Sequence, residues 1–132
     1  MLEEKIPMDV KFQINKERNI IKSVVAGTFE KKELELFLSK LRDITTQHKG
    51  YKILVDLRDT GLDTKQMDMY RILDIVTTLA DIKDQLDGQI AHVIPNVANR
   101  LEHAEDIGSV ASIRGINYKV FTDMKQALKW LG

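Results

Sequence analysis

Few residues in this chain have types and spacings that suggest chemistry, and the densest group lies between Asp56 and Asp63. Three aspartates, Asp56, Asp59 and Asp63, surround Gly61 there, a composition that raises divalent-cation binding. An EF-hand frame starting at Asp56 places Gly61 at the required glycine. It also puts Arg58 at the third ligand position and Met67 where a bidentate glutamate is needed, so the frame fails. Asp56 as a phosphoacceptor would need an acidic pair after the first strand and a lysine after the last. The chain offers Asn15-Lys16 and Thr122-Asp123 at those places. Asp59 and Asp63 read as turn and cap residues.

The three histidines, His48, His92 and His103, fall on a helix end, a strand and a helix, and no two share a ligand spacing. His103 stands beside Glu102, Glu105 and Asp106, which reads as a solvated helix face. The seven glycines are scattered at element ends and form neither a dinucleotide fingerprint nor a P-loop. Ser109 and Ser112 lack a nucleophile-elbow context. With no cysteine, disulfides, thiolate metal sites and a cysteine nucleophile are excluded. The reading therefore expects a non-catalytic domain with no metal site and no cofactor.

Positioning elements follow from the hydrophobic pattern. Val10, Phe12 and Ile14 alternate with polar residues as in a half-buried strand, and Ile20–Ala26 returns as its hairpin partner. Leu34, Phe37, Leu38, Leu41 and Ile44 then line one face of a helix that stops before Gly50. Tyr51–Leu57 reads as a central strand, Arg58–Asp63 as a polar loop, and Asp63 with Gln66 as a capping box. The next helix runs to about Gln85. Gln89–Ile94 forms a strand closed by Pro95. Val97, Leu101, Ala104, Gly108 and Ala111 line a third helix, followed by a last strand, Tyr118–Phe121. Thr122 and Asp123 cap a final helix with Met124, Ala127, Leu128 and Leu131 inside.

The order β-β-α-β-α-β-α-β-α predicts a single α/β domain with a largely parallel sheet and helical crossovers. Its expected bounds are 10–132, after an extension at 1–9. Apolar content of 43%, charged content of 30% and zero net charge fit a globular domain without broad attraction to nucleic acid. No apolar run reaches membrane-spanning length, and acidic Glu3 and Glu4 argue against a signal peptide, so a cytoplasmic location is expected.

Local sequence adds a resemblance. Val120-Phe121-Thr122-Asp123-Met124 leading to Ala127-Leu128-Lys129-Trp130-Leu131 resembles the closing segment of bacterial STAS-like domains. Ile53–Asp59 is similar to their central strand, and Val25-Ala26-Gly27-Thr28 to the end of their second. The resemblance spans Val10 to Leu131 and implies a STAS-like fold. For the anti-sigma factor antagonists it implies a protein partner and a phosphorylated serine after the third strand. Here Asp59-Thr60-Gly61-Leu62 occupies that place without a serine, leaving Thr60 as the phosphate acceptor of that alternative. A second branch, grouped with CRAL-TRIO lipid carriers, implies a small apolar ligand or lipid.

The second helix carries more apolar residues than one sheet-facing stripe uses. With Met69, Ile72, Leu73, Val76 and Ala80 assigned to that stripe, Leu62, Met67, Tyr70, Ile75 and Leu79 are surplus. Neighbouring helices cover them, or they form an apolar ligand site or a surface for a protein partner or homodimer.

Overall fold

The computed structural model describes residues 7–61 and 69–132. Strands β1 (Asp9–Asn15) and β2 (Ile20–Thr28) form an antiparallel hairpin. Asn15 Oδ1 accepts from the Arg18 amide at 3.1 Å, and Asn19 takes φ 55°, a left-handed conformation that asparagine tolerates better than most residues. Helix α1 (Lys31–Gln47) starts with a capping box in which Glu33 accepts from the Glu30 amide at 3.2 Å. Strand β3 (Tyr51–Gly61), helix α2 (Met69–Ile82), a 3₁₀ turn (Lys83–Gln85), strand β4 (Leu86–Val93) and helix α3 (Ala98–Ile113) follow. Strand β5 (Asn117–Phe121) leads into helix α4 (Met124–Leu131), where Asp123 Oδ1 accepts from the Lys125 amide at 2.8 Å.

The sheet order is β1-β2-β3-β4-β5, antiparallel only at the first pair. Strand alternation then divides the core. Ile53, Val55 and Leu57 of β3 join Ile21, Val25 and Ile90 beneath α1, α2 and α3. Leu54 turns the other way and joins Ile20, Ala91 and Val93 beneath Ala127 and Leu131 of α4. Each fully buried leucine or isoleucine contributes on the order of 1.5–3 kcal/mol. Among the described residues, no helix is long and apolar enough to cross a membrane.

Two local expectations are corrected. The polar stretch from Arg58 predicts a loop, yet β3 continues to Gly61 and pairs with Ala26–Thr28 after a register shift between Val24 and Ala26. The irregularity lets Arg58 and Asp59 face solvent while Thr60 turns inward. In α2 the buried stripe is Ile72, Val76, Leu79 and Ile82, rotated from the expected one, and Met69 and Leu73 are exposed. Contact with α1 on one side and α3 on the other selects Leu79 and Ile82 over them.

Candidate ligand cavity

Beneath α1, α2 and α3, toward the C-terminal ends of β3 and β4, side chains leave a cavity of about 70 Å³. Its wall is chiefly apolar, built by Phe37, Leu57, Ile75, Leu79, Ile94 and Ala104 among others. Four polar side chains also border it: His92, Arg100, His103 and Tyr118. The carboxyl ends of parallel strands are the usual place for ligands in open α/β sheets.

Strand β4 presents His92 on the same side as Ile90 and Ile94, so period-2 alternation carries the imidazole inward. His92 Nδ1 and the Tyr118 hydroxyl are hydrogen-bonded across the paired strands β4 and β5. His92 Nε2 is buried and has no protein partner. The ring keeps some accessible surface because it borders the cavity, yet protein surrounds it. Burial, reinforced by the Arg100 cation and only partly offset by Asp56, pushes its pKa down to about 3. Burial raises Tyr118 above the ordinary phenol value. Both groups are therefore neutral at physiological pH.

Helix α3 supplies the remaining pair. Its buried stripe is Arg100, Ala104, Ile107 and Ala111, with spacings of four, three and four. Arg100 heads that stripe and is only 8% exposed. Its guanidinium donates to the Thr60 carbonyl at 3.1 Å and the Thr60 hydroxyl at 2.9 Å. No carboxylate pairs with it among the described residues. Burial moves its pKa down, and among the described residues no neighbouring anion offsets the loss of water. The first turn of α3 contains no acidic residue. His103, one turn on, borders the same cavity with Nδ1 buried and unpartnered.

Of the residues singled out in the sequence, Ile75 and Leu79 line this cavity. Tyr70 is 75% exposed and does not line it. Leu62 and Met67 lie outside the described residues. Thr60 is buried, its hydroxyl donating to the Leu57 carbonyl at 2.6 Å while accepting from Arg100. Asp56 is held by Arg58 in a two-point pair at 2.9 Å for each contact. Burial opposes its ionisation, but hydrogen bonds from the Arg58 side chain and amide, aided by Lys22, keep the carboxyl below its usual range. Among the described residues, no three histidines or carboxylates gather as a metal site.

The solvated-face reading of His103 is corrected: its neighbours Glu102, Glu105 and Asp106 are exposed, while the imidazole turns inward. Arg100 was not singled out, and His92 and Tyr118 were read only as strand residues. The usable signal was positional: His92 alternates with Ile90 and Ile94, and Arg100 stands four before Ala104 and seven before Ile107.

A solved protein of the DUF3478 family from Shewanella loihica PV-4, described as uncharacterized and SpoIIAA-like in fold, is similar across the whole chain. The match covers 100% of this chain and 99% of that one, with a TM-score of 0.63 and 14% sequence identity. The chain has a SpoIIAA-like, STAS-like fold. No protein-family model matches its sequence, and neither does any curated protein. Within the STAS-like fold, the cavity lies on the three-helix face, while α4 packs on the opposite face.

Proposed function

We propose that this chain is a non-catalytic binding module that holds a small, largely apolar ligand between the sheet and helices α1–α3. The observation that supports this reading is the cavity itself, an apolar space bordered by two histidines, each with a buried ring nitrogen that has no partner among the described residues. An apolar cavity of about 150 Å³ takes benzene. Scaled to about 70 Å³, the space suits a chain of roughly three or four carbons. A longer acyl tail would have to part α2 from the sheet. Phosphorylation of Thr60, the alternative that the family resemblance raises, would require its hydroxyl to leave both Leu57 and Arg100.

The test is a titration of isotopically labelled protein with butan-1-ol, followed by amide and methyl NMR shifts. Saturable shifts at Ile75, Leu79 and Ala104, lost when Ala104→Phe fills the space, are the expected result. Shifts that never saturate, or that persist in Ala104→Phe, would remove the reading.

A further inference from the structure

We propose that the ligand of this cavity is a short-chain monocarboxylate, its carboxylate held by Arg100, His92 and His103 and its chain against the apolar wall. The inference rests on the binding-module reading above and adds the chemical class of the ligand.

A buried guanidinium is costly unless an anion accompanies it. Thr60 supplies Arg100 with a carbonyl and a hydroxyl, which satisfy two of its five N–H donors, and among the described residues no carboxylate meets its charge. Position adds to the demand, because Arg100 lies in the first turn of a 16-residue helix whose positive end bears no acidic residue. His92 is close enough to Arg100 for the cation to oppose its protonation, so both groups serve one space.

Hydrogen-bond accounting sharpens the class. Tyr118 can donate its O–H to His92 Nδ1, leaving the neutral imidazole with Nε2–H as a donor. That nitrogen is buried and unpartnered, on a residue that borders the cavity. His103 Nδ1 is a second buried ring nitrogen without a partner there, and a donor in the matching tautomer. A guanidinium fork with two imidazole N–H groups suits an acceptor with two oxygens and one negative charge. The apolar wall disfavours inorganic phosphate, whose second charge and hydration would go unmatched. Volume limits the chain to roughly three or four carbons.

The experiment compares butyrate, butan-1-ol and inorganic phosphate by NMR titration of the wild-type chain at pH 7. Butyrate is expected to bind at least about tenfold more tightly than butan-1-ol, as charge-assisted hydrogen bonds imply. In Arg100→Met the two are expected to bind alike, with butan-1-ol still shifting Ile75 and Leu79. His103→Leu is expected to reduce the preference several-fold while leaving butan-1-ol binding in place. If butan-1-ol binds saturably and butyrate no better, the carboxylate inference fails and the binding-module reading stands. If neither binds, both fail. Phosphate binding at the same residues more tightly than butyrate would overturn the carboxylate class. The wild-type ratio needs no variant to fold, so a poorly folded Arg100→Met leaves the comparison decisive.

Discussion

Two arginines near the ends of the central strands meet opposite fates. Arg58 on β3 has a carboxylate, Asp56, in a two-point pair, and part of its side chain reaches water. Arg100 on α3 is buried against a hydroxyl and a carbonyl, and borders the same cavity as His92 and His103, each with a buried unpartnered ring nitrogen. The first charge is balanced within the protein and asks for nothing further. The second meets no carboxylate among the described residues. The sheet faces differ too: Ala127 and Leu131 of α4 pack on Leu54 and Ala91, whereas the three-helix face retains an apolar cavity bordered by polar side chains. Unfinished packing beside unfinished electrostatics distinguishes a site from a core.

The largest expected effect tests the difference in packing. Leu54→Ala, on the α4 face, should cost about 2–5 kcal/mol in chemical denaturation, because close neighbours cannot fill the hole. Ile75→Ala, half-buried at the cavity, should cost less than about 2 kcal/mol. Equal losses would remove the contrast between the faces.

Acid titration comes next. His92 is neutral in the fold and protonates below about 6.5 in the unfolded chain, so added protons favour unfolding. Its contribution is complete above pH 6.5 and declines toward pH 3, by up to about 1.4 kcal/mol per pH unit. Stability measured at pH 6.5 and 4.5 should therefore differ by about 2–3 kcal/mol, and His92→Gln should flatten that slope. Asp56 acts in a lower range: its contribution is present above its unfolded value of 3.8 and is lost as pH falls through the lower folded one. Asp56→Asn should leave the slope above pH 4.5 intact.

A pair of enlargements follows. Ala91→Leu, on the closed face, should cost about 1–3 kcal/mol through overpacking. Ala104→Val, into the cavity, should change thermal stability by less than about 0.5 kcal/mol in either direction. The smallest effect concerns the clamp on Arg100. Thr60→Val should cost about 1 kcal/mol and Thr60→Ser nearly nothing, since serine keeps the hydroxyl that accepts from the guanidinium.

Most of the fold was legible in the chain. The alternation of Val10, Phe12 and Ile14, the helical spacing of Leu34, Phe37, Leu38 and Leu41, and the cap at Asp123 are local signals acting over a few residues. The strand beyond Leu57 was not legible, because pairing with Ala26–Thr28 holds polar residues in a conformation their composition disfavours. The α2 stripe was legible as apolar but not in rotation, which contacts with α1 and α3 decide.

The site shows the same division. Ile75 and Leu79 stood out as surplus apolar residues, and both reach the cavity. His92, Arg100, His103 and Tyr118 come from β4, α3 and β5, far enough apart in the chain that no short motif holds them. By itself the sequence determined the order of elements and the inward side of each strand, because backbone periodicity and turn chemistry are local. Tertiary structure alone decided that a cation and an imidazole of one helix would border the same apolar space as an imidazole of a strand, because burial, charge and enclosure arise only when distant elements pack together.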